Sequence, residues 1–100
     1  DGKHYVEPYP ARPIYEDGVT SWPAVEDWTD AERAEWLRKS APKNNRVKIY
    51  GSITGCQFPP PWEIYYWSLS NKSLKHLSSN EDFSQALTNA VIAVAKEVAE

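Results

Sequence analysis

The last part of the chain carries the pattern that most constrains its fold, a run of apolar residues at helical spacing. These positions recur at intervals of three and four residues: Phe83, Ala86, Leu87, Ala90, Val91, Val94 and Val98. The spacing predicts an amphipathic helix of about 17 to 20 residues, because such positions share one face of a helix. Ser79 or Asn80 is expected to cap it, with Glu81 and Asp82 in its first turn. Since the apolar stripe must be buried, the rest of the chain has to supply a surface for it.

Two segments with alternating side chains supply that surface. In residues 46–53 the apolar side chains fall on one face of a predicted strand, and Gly51 indicates a bulge or the close approach of a bulky neighbour. Residues 62–69 carry aromatic side chains on both faces, which is typical of a central strand covered on each side. A turn at 70–73 and a short third strand at 74–77 complete a predicted antiparallel meander.

The first third of the chain lacks such a pattern. Residues 1–27 show neither helical nor strand periodicity, and three prolines between positions 8 and 13 favour extended backbone. Asp17-Gly18 is a turn signal between two short apolar flanks, which indicates a hairpin. Thr29-Asp30-Ala31-Glu32 matches a capping box, so a short helix is expected near residues 30–39.

Together these segments predict one α+β domain over residues 1–100. Its body, residues 28–100, is a small antiparallel three-stranded sheet packed on a long C-terminal helix, and residues 1–27 form an extended arm or a hairpin that lengthens the sheet. If the long helix covers one sheet face, the segment with Trp22, Trp28 and Trp36 is expected to cover the other. If that segment lies elsewhere, the second aromatic face is exposed and functional.

Composition excludes several classes of protein. A chain of 100 residues buries enough surface for one core, and no apolar run approaches the roughly 20 residues that span a bilayer, so no membrane partner is expected. Cys56, in a predicted proline-rich loop at 54–61, is the only cysteine, which excludes an intrachain disulfide and favours a reducing, cytoplasmic compartment. Absence of methionine and a start at Asp1 indicate a processed or trimmed N-terminus.

No catalytic signature is found either. His4 and His76 are far apart in sequence, and His76, on the predicted third strand, is expected to be a structural histidine. No cysteine–histidine cluster has the spacing of metal ligands, and no glycine-rich phosphate loop occurs. We therefore expect no metal, no cofactor and no enzymatic activity. A strand–strand–strand–helix order of this kind is common among small bacterial and phage proteins, but architecture does not supply function.

Charge and aromatic residues indicate binding instead. Residues 1–37 hold nine acidic and three basic side chains, whereas residues 38–79 hold seven basic and one acidic. The leading hypothesis is an adaptor or inhibitor that binds a protein partner through an aromatic and acidic surface, since large rings are enriched at binding hot spots. Its candidate residues are Trp22, Trp28, Tyr15 and Asp17, with Ile92 on the outer side of the last helix.

Two alternatives remain open. Arg46, Lys48 and Tyr50 alternate on one face of a predicted strand beside an aromatic strand, as in proteins that bind single-stranded nucleic acid by stacking and phosphate contacts. The acidic N-terminal segment could instead lie against this basic region within the molecule. The second alternative is a structural subunit of a larger assembly.

Overall fold

The computed structural model describes residues 2–10, 12–51 and 62–99. The element order is β1 (Ile14–Glu16), β2 (Val19–Ser21), a 3₁₀ turn (Val25–Asp27), α1 (Asp30–Ser40), β3 (Asn45–Gly51), β4 (Trp62–Ser68), β5 (Ser73–Asn80) and α2 (Phe83–Ala99). The predicted α+β class, with a three-stranded antiparallel sheet on a C-terminal helix, is confirmed. The predicted loop at 54–61, with Cys56 and its prolines, lies outside the described residues.

The main sheet has the strand order β3-β4-β5, so the predicted meander is confirmed. Ile49 lies opposite Ile64 across the first strand pair, and Tyr65 opposite His76 across the second. An irregularity in register falls between Ile64 and Tyr65, and β5 continues on both sides of it. The third strand is therefore longer than the predicted 74–77, because backbone pairing with β4 extends it through serines that give no alternating pattern.

The N-terminal hairpin forms at the predicted turn but does not lengthen the main sheet. β1 and β2 make a separate two-stranded sheet. Asp17 and Gly18 have φ angles of 50° and 76°. Positive φ at both central residues is the requirement of the type I′ turn that Asp-Gly favours.

The core lies between α2 and one face of the main sheet. Leu87, Val91 and Val94 are buried in one cluster with Ile64 and Tyr66 of β4, as the helical stripe predicts. The Phe83 ring is only partly buried and packs on the Trp62 ring at a centroid distance of 4.9 Å.

Ile49 is 38 % exposed, because it lies on the edge strand beyond the reach of α2. The expected first turn of α2 is wrong. The helix begins at Phe83, so Glu81 and Asp82 precede it. Asn80 ends β5, and its side-chain oxygen accepts from the Asp82 backbone N–H at 2.8 Å within the connecting turn.

Helix α1 packs beside α2 on the same face of the sheet. Its predicted capping box is present, since the Glu32 backbone N–H donates to the Thr29 hydroxyl and the Thr29 N–H to the Glu32 carboxylate. The Tyr66 hydroxyl donates to the Leu37 carbonyl at 2.8 Å and so ties α1 to the central strand. One continuous core follows, in which Trp36 and Leu37 of α1 join the apolar stripe of α2.

The segment before the hairpin packs on the 3₁₀ turn and α1. The Val25 N–H donates to the His4 carbonyl at 2.8 Å, and the Trp36 indole N–H donates to the Glu7 carbonyl at 3.0 Å. The expectation that the N-terminal segment covers the second face of the sheet is therefore wrong. Its packing contacts place it with the two helices, because the α1 surface offers both apolar area and hydrogen-bond partners.

Candidate functional site: an uncovered sheet face

The face of the main sheet that points away from both helices is not covered by any described element. Alternation along β4 buries Ile64 and Tyr66 against the helices, so their neighbours in sequence point to the opposite side. We call this side the outer sheet face; it consists of Arg46, Lys48, Tyr50, Glu63, Tyr65, Trp67, Leu74, His76 and Ser79. All nine side chains are exposed or half-buried.

Strand register arranges these side chains in three rows across the sheet. Arg46, Trp67 and Leu74 form the first row. Lys48, Tyr65 and His76 form the second, and the third is Tyr50, Glu63 and Ser79. Each of the first two rows begins with a cation on β3 and continues with an aromatic ring on β4.

Aromatic rings are in contact along the centre of the outer sheet face. Tyr65 meets Tyr50 edge-on at a centroid distance of 5.6 Å and His76 at 5.2 Å. Tyr50 is 47 % exposed although it lies within a strand. The Tyr65 hydroxyl donates to the Glu63 carboxylate, and this hydrogen bond raises the pKa of Tyr65. The ring contacts and this bond hold the rings in place before any ligand arrives.

The cations on this face are not neutralised by neighbouring carboxylates. No ion pair of the described chain involves Arg46 or Lys48, nor Lys43 and Lys72 at the same end of the sheet. Lys75, whose side chain lies on the helix side, pairs with Glu97. These basic side chains of β3 are thus available to an anion. The ion pairs of the described chain do not support the alternative in which the acidic N-terminal segment covers them.

Acidic side chains of the N-terminal part are paired within that part. Glu26 contacts His4, Asp27 contacts Lys3, and Glu32 contacts Arg12. On α1, Glu35 faces two basic residues, and the Arg38 hydrogen bond lowers its pKa. These pairs hold the acidic side chains within the N-terminal part and α1 rather than against the basic strand β3.

The residues predicted to bind a protein partner do not form one surface. The prediction that Trp28 anchors a protein partner is wrong, because Trp28 is 3 % exposed and its indole N–H donates to the Pro23 carbonyl inside the core. Trp22 stacks on Tyr9 at 5.4 Å and is partly exposed. Tyr15 is 73 % exposed.

The remaining two candidates lie apart from each other. Asp17 is exposed at the hairpin tip. Ile92 is half-buried on α2, which packs on β4, β5, α1 and the 3₁₀ turn, whereas the hairpin strands pack chiefly on each other.

Sequence reasoning found only part of the outer sheet face. Arg46, Lys48 and Tyr50 were identified by their alternation, but His76 gave the pattern of a structural histidine. The signal that could have included it is its position two residues after Leu74 on an edge strand, which puts both on one face.

The arrangement offers stacking surfaces and cationic hydrogen-bond donors. Among residues 2–10, 12–51 and 62–99, no group of three or more histidine, cysteine or acidic side chains could hold a metal ion. Of the helices in the described part of the chain, none combines the length and the apolar character needed to cross a membrane. Comparison of the chain with protein-family models, curated proteins and solved structures finds no match.

Proposed function

We propose that this chain is a non-enzymatic module that binds single-stranded nucleic acid on the outer sheet face. The observation that carries the proposal is the uncovered row of Lys48, Tyr65 and His76, in which an unpaired cation lies beside rings already in contact. Bases stack on aromatic side chains, and basic residues at the edge of such a platform contact phosphates.

The positions of the charges, rather than the net charge of the chain, support binding of nucleic acid on the outer sheet face. The net charge of −3 would repel a polyanion if it were spread evenly. Five of the acidic side chains are instead paired on the N-terminal part of the molecule, while the cations of β3 have no such partners in the described residues.

The sole cysteine supports a further proposal, that the protein works in a reducing, cytoplasmic compartment.

Binding of a fluorescently labelled oligothymidine, followed by anisotropy, tests the proposal. Lys48→Glu is expected to weaken binding by about tenfold or more, and the log of the parent's affinity should fall with log salt by about 0.7 for each phosphate contact. Lys96→Glu is the matched control, because Lys96 is an exposed lysine on α2, on the other side of the sheet. Equal weakening by the two variants would mean that only net charge matters, and the proposed site would be wrong.

Removal of a ring tests the stacking part of the proposal. Tyr50→Ala should weaken oligothymidine binding by ~1–3 kcal/mol, the range measured for base–aromatic stacking. Tyr15→Ala removes a tyrosine of the hairpin that is more exposed than Tyr50, 73 % against 47 %, and should leave binding unchanged. If Tyr50→Ala binds as the parent does, the rings are not the platform.

A protein partner at the hairpin is the second candidate function, in which the chain acts as an adaptor or inhibitor. The observation that favours it is the exposure of Tyr15 and the stacked, partly exposed Trp22, with Glu16 and Asp17 at the tip outside the ion pairs of the described chain. After nuclease treatment of a lysate, a protein retained by the parent and by Lys48→Glu but lost with Tyr15→Ala would support it. Retention that survives Tyr15→Ala would exclude the hairpin.

A further inference from the structure

A groove runs along the free edge of the main sheet, between α1 and β3. Its volume is about 610 Å³, and its floor includes Ala31 and Ala34 of α1 with Val47 and Ile49 of β3. Small side chains on the helix leave room at this point, which is why Val47 is only partly buried and Ile49 is exposed. The groove opens on the helix side of β3, where Val47 and Ile49 lie, and it borders the outer sheet face at Arg46, which also lines it.

The wall of this groove is an edge strand with free backbone groups. In the described chain β3 pairs with β4 alone, so its other edge presents N–H and C=O groups that have no strand partner. Such an edge is a template for a further strand, and peptide-binding domains use it by adding an extended segment of the partner to the sheet. Successive side chains of an added strand would point alternately over Val47 and Ile49 and toward the outer side.

The positive charge beside the β3 edge indicates which kind of partner would bind there. Arg46 and Lys48 project from the outer side of β3 and take part in no ion pair of the described chain. A second copy of this chain that paired through β3 would bring the same cations together, which like-charge repulsion disfavours. An extended segment with acidic side chains on that side would pair with them.

We infer that the β3 edge binds an extended acidic peptide as a fourth strand, with its apolar side chains in the groove beneath α1. This interaction goes beyond the proposed nucleic-acid binding, which uses the aromatic rings of the outer sheet face. The two sites share Arg46 and Lys48, so acidic peptide and single-stranded nucleic acid should compete for the same cations. A partner of this chemistry would displace nucleic acid.

An eight-residue labelled peptide of alternating valine and glutamate is the probe, with a valine–lysine peptide as its counterpart. Anisotropy should show binding of the glutamate peptide that is about tenfold tighter than that of the lysine peptide or more, as charge complementarity requires. Equal binding of the two peptides would overturn the inference.

Filling the groove separates this site from the outer sheet face. Ala31→Phe should weaken peptide binding by about tenfold, because the ring fills the space that an apolar side chain of the peptide would occupy. It should leave oligothymidine binding unchanged. Gln85→Phe, at an exposed position of α2, is the matched control and should change neither. If Ala31→Phe weakens oligothymidine binding as much as peptide binding, the groove belongs to the nucleic-acid surface and the inference is wrong.

Two further measurements begin with the parent protein. Amide hydrogen exchange of β3 should slow when the glutamate peptide is added, whereas slowing confined to β5 or the hairpin would overturn the inference. Sedimentation equilibrium should show a monomer. A dimer that Ala31→Phe dissociates would make a second copy the occupant, and the acidic peptide would be the wrong assignment.

Discussion

Arg33 shows how one buried side chain can join two elements. It is 5 % exposed, its Nε donates to the Val25 carbonyl at 3.0 Å, and one terminal nitrogen donates to the Glu26 carbonyl at 2.9 Å. The other terminal nitrogen contacts Asp30 at 2.8 Å. This planar fork fastens the 3₁₀ turn to α1. Sequence could not predict it, because its partners are mainly backbone carbonyls that any residue would supply.

Arg33→Lys is therefore expected to destabilise the protein by about 2 kcal/mol, since a lysine ammonium cannot reach three acceptors in fork geometry. Urea unfolding measures the change. Arg38→Lys is the matched control on the same helix, because Arg38 is exposed and its contact with Glu35 is a surface ion pair. Similar losses in the two variants would show that the fork contributes little.

Tyr66 gives the clearest pH dependence at this scale. It is buried in the core, and burial raises its pKa to about 12, with a smaller contribution from the Glu97 carboxylate. Below pH 10 both the folded and unfolded chains hold the proton. Between about pH 10 and 12 only the unfolded chain releases it, so the free energy of unfolding should fall as pH rises, by roughly 1.4 kcal/mol per pH unit at most.

Unfolding of the parent and of Tyr66→Phe at pH 8 to 12 tests this expectation. Phenylalanine loses the hydrogen bond to Leu37 but cannot ionise, so the parent should be the more stable protein at pH 8 and the difference should shrink above pH 10. A constant difference across that range would show that Tyr66 ionises as freely when folded as when unfolded.

At the scale of elements, the sequence predicted the strands and the helix whose side chains repeat with a regular period. Alternation located β3 and β4, helical spacing located α2, and Gly51 was predicted to mark a bulge or the close approach of a bulky neighbour. The Trp62 ring indeed lies 2.7 Å from the place where a Cβ at Gly51 would be. Sequence did not predict the length of β5 or the start of α2, because Ser78, Ser79 and Asn80 pair with β4 through backbone that carries no pattern.

The apolar stripe of α2 carries the prediction that belongs to this scale. Leu87 is fully buried in the core cluster, so Leu87→Ala should lower the free energy of unfolding by ~2–5 kcal/mol through lost burial and the cavity left behind. Ile92→Ala is the control, since Ile92 lies off the stripe and is half-buried. A loss at Leu87 no larger than at Ile92 would contradict the packing of α2 on the sheet.

At the scale of the whole molecule, the decisive feature is the side of the sheet on which the N-terminal segment packs. Its position depends on contacts between residues 20 or more positions apart, such as His4 with Glu26 and Arg12 with Glu32. No local pattern encodes such pairs, so sequence reasoning placed this segment on the wrong face. The sequence had left open the other outcome, in which the second aromatic face of the sheet is exposed, and its basic residues on β3 had been identified.

Acid should loosen this N-terminal segment while the sheet and α2 remain folded. Burial alone would raise the pKa of Glu26, but hydrogen bonds from the His4 backbone and side chain outweigh this effect and the pKa is lowered. The hydrogen bonds from Thr29 and Arg12 lower the pKa of the half-buried Glu32 in the same way. A lowered pKa in the folded state means that this stabilisation is complete above the ordinary value of 4.5 and is lost as pH falls.

The indole N–H resonance of Trp36 reports the attachment of the segment, because that group donates to the Glu7 carbonyl. We expect its exchange with solvent to quicken as pH falls below about 4.5, after correction for intrinsic exchange rates, while the amides of β4 stay protected. Glu26→Gln should show the faster exchange already at neutral pH, since glutamine keeps the size of the side chain but loses the charge. Glu16→Gln, at the hairpin tip, removes an exposed carboxylate that takes part in no ion pair of the described chain and should behave as the parent. If Trp36 and the β4 amides lose protection at the same pH, the segment is not a separately released element but part of one cooperative unit with the sheet.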